Sequence, residues 1–145
     1  MIDSLRNFGF LVRDVSRLSA KRFERNAREL ELSLLDCKVL AHLSRNEGIS
    51  QARLSEETET DAMTLVRTLD RMEEDGWVER RRDPIDRRAH CLFLRATAKP
   101  IVELIWKIAE KTLNEALALL SNAEREQLVA LLKRLHGALL NLQAK

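Results

Sequence analysis

A change of hydrophobic period at Gly76 constrains this chain more than any other feature. Up to that glycine, apolar residues recur every three or four positions. Beyond it, "WVERR" and "HCLFL" alternate in steps of two on either side of "RDPIDRRA". Three to four is the repeat of a helix face and two is the repeat of a strand face. The sequence therefore predicts a mainly α protein interrupted by one short β-hairpin with a proline-containing tip.

The helical parts divide by their caps and stops. Residues 3–30 read as a helix with Leu5, Phe8, Val12, Val15 and Leu18 on one face. A second runs over 34–45 behind Ser33 at an N-cap position, carries Leu35, Val39, Leu40 and Leu43, and is ended by Gly48. Then come a short helix from Gln51 to Glu57 capped by Ser50, a polar turn "TETD", and a helix from Asp61 to Asp75 stopped by Gly76. After the hairpin, from about Thr97, the chain is helical again. Ile101, Ile105, Ile108 and Thr112 mark one face, and Leu128, Leu131, Leu132, Leu135, Leu139 and Leu142 mark another, with the box-like "SNAE" between them.

Composition excludes more than it selects. Aromatics are 4%, there are four glycines, two prolines and no tyrosine, too few turn and strand formers for a sandwich or barrel. The longest apolar runs, Ala116–Leu120 and Leu128–Leu132, have only five residues each. A membrane helix needs roughly 20 apolar residues, so no membrane partner and a cytoplasmic location are expected. Cys37 and Cys91 form no CxxC, and His42, His90 and His136 have no ligand spacing, so no metal or cofactor is expected. Paired carboxylates, a Ser/His/Asp set and a phosphate-cradling Gly loop are all missing from the pattern, and the chain is not expected to be an enzyme.

The charge is small in total and concentrated in place. Net charge is +2, yet between Trp77 and Lys99 seven cations (Arg80, Arg81, Arg82, Arg87, Arg88, Arg95, Lys99) face three acids (Glu79, Asp83, Asp86), a local +4. A helix, a short turn, a second helix and then a basic hairpin is the order of a winged helix-turn-helix, whose second helix enters the major groove of DNA. In that second helix Leu65, Leu69 and Met72 form the packing side, leaving Thr64, Arg67, Thr68 and Arg71 opposite. An ordinary solvated face, with Arg67 paired to Asp70 and Arg71 to Glu74 or Asp75, explains the helix alone equally well. The hairpin decides for DNA, because Arg87 and Arg88 at a thin tip suit a minor groove, with Asp86 orienting a neighbouring guanidinium. Against this stand Glu56, Glu57, Glu59 and Asp61, four acids just ahead of the recognition helix.

The stretch "LVRTLDRMEEDGWVERRRDPIDRRAHCLFL", with an E-x-x-G-like turn at Glu73 to Gly76 and D-R-R at Asp86, Arg87 and Arg88, closely resembles the MarR family of bacterial transcription regulators, in particular its SlyA-like branch. "ELELSLLDCKVLAHL" resembles the same family's helix start, and the likeness spans nearly the whole chain. It implies a homodimer built from an N-terminal dimerisation helix (1–32) and C-terminal dimerisation helices (97–145), flanking a winged helix-turn-helix (33–96). The abundance of apolar positions in 3–18 and 101–142 points to a large interface independently. The dimer would read a pseudo-palindromic operator in double-stranded DNA. By the resemblance, Met63, Thr64 and Arg67 match the base-reading turn of the recognition helix, Ser50 and Gln51 lie where phosphates are held, and Arg87 and Arg88 match the wing contacts; Ala62, Thr68, Arg71 and Asp86 complete the expected DNA-binding set.

The family also implies a small aromatic carboxylate as effector, in a cleft lined here by Arg17, Cys37 and Ala41. Position 37, commonly aromatic in the family, is Cys, which implies a roomier cleft. Position 95, commonly a capping Thr, is Arg, which leaves the next helix to be capped by Thr97. Two rival readings stay open: a thiol-based redox sensor on the same fold, with Cys91 activated by surrounding arginines and Cys37 inert, and a helical interaction module that binds no DNA.

Overall fold

The hairpin forms where the alternation places it. In the computed structural model, which describes residues 2–145 and side chains from residue 4 onward, β2 (Val78–Arg82) pairs antiparallel with β3 (His90–Leu94). Met1, where the expected N-terminal segment begins, lies outside the described residues. A two-residue strand that the sequence does not announce, β1 (Ile49–Ser50), adds to β3, giving the strand order β1, β3, β2. Ile49 opposes Leu92, and the Gly48 N–H donates to the Leu92 carbonyl at 2.8 Å. Gly48 is left-handed, with φ +84°. Glycine enters that conformation at no steric cost, and it turns the chain out of the preceding helix into the sheet.

The helices are α1 (Ile2–Arg6), α2 (Phe8–Asn26), α3 (Leu34–Arg45), α4 (Gln51–Glu57), α5 (Ala62–Glu74), α6 (Lys99–Ala116) and α7 (Asn122–Gln143). The expected helix over 3–30 is thus broken at Asn7 and ends at Asn26. A 3-10 turn over Arg28–Leu30 and a left-handed Glu31 (φ 53°) then redirect the chain so that Leu30 and Leu32 pack on the core. The starts of α3 and α7 follow their sequence signals, each built as a reciprocal pair of cap bonds. Ser33 and Asp36 exchange theirs at 3.0 Å, and Ser121 and Glu124 do so at 2.8 and 3.2 Å. Thr97 does not cap α6, contrary to expectation. Its hydroxyl donates to the Gly76 carbonyl, joining the end of the hairpin to the turn that begins it. Helix α6 starts at Lys99–Pro100 without a side-chain cap, the proline needing no partner for an N–H it lacks.

Leu40 and Leu43 of α3, Leu54 of α4, Leu65, Leu69 and Met72 of α5, and Val78 and Leu92 of the sheet are all fully buried in one core. Val102 and Ile105 bring the first half of α6 into it. By contrast, α2 and α7 bury no residue, and Leu11, Val15, Leu18, Leu132, Leu139 and Leu142 lie about half exposed or more along them. No helix among the described residues is long and apolar enough to cross a membrane.

Candidate nucleic-acid interface

The turn between α4 and α5 is held by hydroxyls. Thr58 Oγ1 donates to the Leu54 carbonyl at 2.7 Å and Ser55 Oγ to the Thr60 carbonyl at 2.5 Å, while Glu59 supplies the left-handed residue (φ 51°). Asp61 then caps α5: Oδ1 accepts the Thr64 N–H at 2.9 Å and Oδ2 the Thr64 hydroxyl at 2.7 Å. These bonds lower its pKa, the side-chain bond most. The acids ahead of the recognition helix are partly spent in this way, since Glu57 likewise pairs with Arg53 at 2.9 Å and with His42 at 3.2 Å.

Ala62, Met63, Thr64 and Arg67 all project from the accessible side of α5, Met63 being 65% exposed. Thr68 does not. It is only 5% exposed, because the packing side of α5 is wide enough to take it in with Leu65, Leu69 and Met72. Arg71 is also placed differently, ion-paired to Asp36 at the start of α3 rather than to Glu74 or Asp75. Asp70 is bound to Arg80 of β2 and not to Arg67.

That last pair follows from the strand parity. Val78, Arg80 and Arg82 share one face with Leu94, Leu92 and His90, and this is the face turned towards α5, so Arg80 is drawn inward to Asp70 and Glu73. Arg81, of opposite parity, lies over the Phe93 ring at 4.0 Å and pairs with Glu79 at 3.1 Å.

The two aspartates of the tip serve the backbone. Asp83 Oδ1 accepts the N–H groups of Ile85 (2.8 Å) and Asp86 (3.3 Å), and Asp86 Oδ1 accepts the Arg88 N–H at 3.0 Å. Asp86 therefore braces the turn instead of orienting a guanidinium. With both carboxylates committed, the side chains of Arg82, Arg87 and Arg88 make no hydrogen bond or ion pair among the described residues. Ser50 caps α4 by accepting the Arg53 N–H at 3.2 Å, and Gln51 turns its side-chain carbonyl inward, without a partner among the described residues. Ser50 and Gln51 share one shallow pocket with Ala62 of α5 and with Ala89 and His90 of the wing. The head of α4, the first turn of α5 and the tip end of the hairpin, where the loop rejoins β3, thus converge.

A separate cavity of about 320 Å³ lies between α2, α3 and α6. Cys37 and Ala41 line it, as expected, but Arg17 does not: it is exposed on α2 and paired with Asp14 at 3.2 Å. Phe23, Ile105 and Trp106, which sequence reading passes over, form much of the wall, and Lys38 is its one charged side chain. Of these only Ile105 is hinted at in the sequence, through the helical period that puts it on the inward face of α6. Burial and the neighbouring Asp36 carboxylate push the Cys37 thiol up to about 11. Cys91 overturns the expectation that arginines would activate it. Partial burial raises its pKa, and so does the carboxylate of Asp83. The Asp83 oxygen lies 3.7 Å from the Cys91 sulfur. Among the described residues no cluster of His, Cys, Asp or Glu could hold a metal ion.

A short helix, a four-residue turn, a recognition helix with an exposed first turn and a basic two-stranded wing define a winged helix-turn-helix protein. Comparison with known proteins agrees. The sequence profile of the MarR family matches residues 32–90. A MarR crystal structure superposes with a TM-score of 0.81 at 26% identity, covering 94% of this chain and 92% of that one. Transcriptional regulator PA3341 is 30% identical, with a TM-score of 0.79 over 92% of this chain and 98% of its own. A mutant E. coli MarR, solved in complex with operator DNA, shares the fold at 24% identity and a TM-score of 0.72, with 93% and 97% covered. Residues 32–90 thus match the MarR family, and the whole chain has the fold of MarR winged-helix regulators.

Proposed function

We propose that this protein is a homodimeric, sequence-specific DNA-binding regulator of the SlyA-like branch, reading a pseudo-palindromic operator. The observation that carries the reading is the convergence of Ser50, Gln51 and Ala62 with the tip end of a wing whose Arg82, Arg87 and Arg88 have no acidic partner among the described residues. Met63, Thr64 and Arg67 enter the major groove, where a guanidinium can grip a guanine edge by two bonds. Arg87 and Arg88 reach the adjacent minor groove, drawn by its negative potential. A mutant E. coli MarR of the same fold holds operator DNA in its complex, which supports the assignment.

The exposed area calls for a second copy. This chain has a mass of 16.7 kDa and exposes 11282 Å². A compact monomer of that mass would expose only about 7600 Å². Large apolar side chains are exposed along α2 and α7, among them Leu11, Val15, Leu132 and Leu139. At about 3700 Å² per chain the excess is more than enough for an obligate homodimer interface, which buries about 2000–5000 Å² over both partners, roughly half of that from each. Residues 1–32 and 97–145 thus act as the dimerisation region and 33–96 as the DNA-binding region, with half-sites about 10 bp apart. A small aromatic carboxylate is the effector class that suits the cavity. Its volume is at the low end for ligand sites, its wall is apolar, and Lys38 offers one cation.

Selection of bound duplexes from a random pool, followed by gel shifts across a salt series, tests the proposal. The expected result is one enriched motif with twofold symmetry and an affinity that falls steeply with salt through counterion release. A purified chain indifferent to every duplex at low ionic strength would falsify it.

A further inference from the structure

We infer that Arg71 is a positioning residue for DNA recognition: through Asp36 it fixes the rotation of α5, and it touches neither phosphate nor base. The inference rests on the DNA-binding reading above. Asp36 has a side chain only 8% exposed, and both its oxygens are engaged. Oδ2 accepts the Ser33 N–H at 3.0 Å, while Oδ1 accepts from the Arg71 guanidinium. The residue is also anchored through its own N–H, bound to Ser33 Oγ at 3.0 Å, so the carboxylate cannot follow a departing arginine. Were Arg71 to leave for a phosphate, an almost buried charge would lose its cation, a far larger penalty than one exposed ion contact repays.

The geometry also explains why such a strut is needed. Leu65, Leu69 and Met72 set how deeply α5 sits, but apolar contacts have no direction and leave its rotation loosely specified. Directional ion pairs flank it on both sides: Arg71 to Asp36 of α3, and Asp70 with Glu73 to Arg80 of β2. A small rotation would swing Met63, Thr64 and Arg67 across the groove floor.

The test uses a duplex selected by the parent protein, with affinity measured as a function of salt for Arg71→Gln, Asp36→Asn, the double variant, Ser33→Ala and Arg88→Ala. Positioning predicts that Arg71→Gln and Asp36→Asn each weaken binding about tenfold, with the double variant no worse. It predicts an unchanged salt slope for all three, whereas Arg88→Ala flattens the slope by about one per subunit. Ser33→Ala removes half the cap but keeps the pair, and should bind nearly as the parent does. The inference is overturned if Arg71→Gln flattens the slope, if either single variant binds as tightly as the parent, or if Ser33→Ala is as impaired as Asp36→Asn. A parent that selects no duplex at all refutes the DNA-binding reading itself, a separable outcome.

Discussion

Arg80 of β2 is ion-paired with Asp70 of α5, which joins the root of the wing to the middle of the recognition helix. The most conspicuous basic run in the chain therefore contains arginines of different kinds: Arg80 is structural, Arg81 rests on Phe93, and Arg82, Arg87 and Arg88 are exposed.

Arg80→Ala leaves Asp70 and Glu73 without their shared cation at a site where Arg80 is mostly buried. Thermal or denaturant unfolding should show a loss of about 1–3 kcal/mol. A stability equal to the parent's would mean that the pair contributes nothing to holding the wing.

Arg88→Ala should do the reverse. With the side chain unpaired at the tip, unfolding should be unchanged within about 0.5 kcal/mol. Duplex affinity should drop sharply, and gel filtration should still return a dimer. Unaltered affinity would refute the wing assignment.

Glu115 of α6 joins Arg22 of α2 at 2.5 Å and accepts from Asn26 at 3.1 Å. These bonds lower its pKa from the ordinary 4.5 to about 2. Because the folded value is the lower one, the contribution is complete above the unfolded value and disappears as pH falls from about 4.5 towards 2. Melting curves of the parent and Glu115→Gln should differ by a constant amount above pH ~5 and converge in that acid window. Parallel curves down to pH ~2 would contradict the assignment.

Neither thiol is disposed to ionise at neutral pH, since Cys37 and Cys91 are both shifted upwards. Ellman's reagent should label the native protein slowly and the unfolded chain at once. Peroxide should leave duplex affinity as it was. A loss of affinity that a thiol reductant restores would establish the redox-sensor reading instead.

Leu139 of α7 is half exposed on the single chain. In a monomer, Leu139→Glu would be nearly neutral, as surface changes are. In the proposed dimer it places a charge in an apolar interface, so sedimentation should show dissociation, and operator affinity should fall with it.

Much of the fold is legible in local signals. Ser33, Ser50, Asp61 and Ser121 start helices because a side-chain oxygen can satisfy the free N–H groups of a first turn, and the sequence displays such oxygens directly. The alternation around "RDPIDRRA" locates both strands to within a residue. Arg80 reads only as one more cation of the basic segment, although strand parity, which sets it on the face of Val78, is the signal that distinguishes it. Less is legible where partners are distant in sequence. Thr97 reads as a cap yet bonds Gly76; Arg17 reads as a cavity residue yet pairs with Asp14 away from the cavity wall. Thr68 reads as exposed yet is buried, and β1 gives no sign of itself, because two residues carry no period.

What the sequence determined by itself was the succession of helices, the hairpin and the accumulation of positive charge, since these depend on periods and caps read within a few residues. Only the tertiary structure decided which charges are free. Asp36 claims Arg71, Asp70 and Glu73 claim Arg80, and Asp83 and Asp86 turn to the backbone, leaving the outer arginines unneutralised. An ion pair depends on distance in space. Residues 35 apart in the chain, such as Asp36 and Arg71, become neighbours only when burial of Leu40, Leu65 and Leu69 packs their helices together.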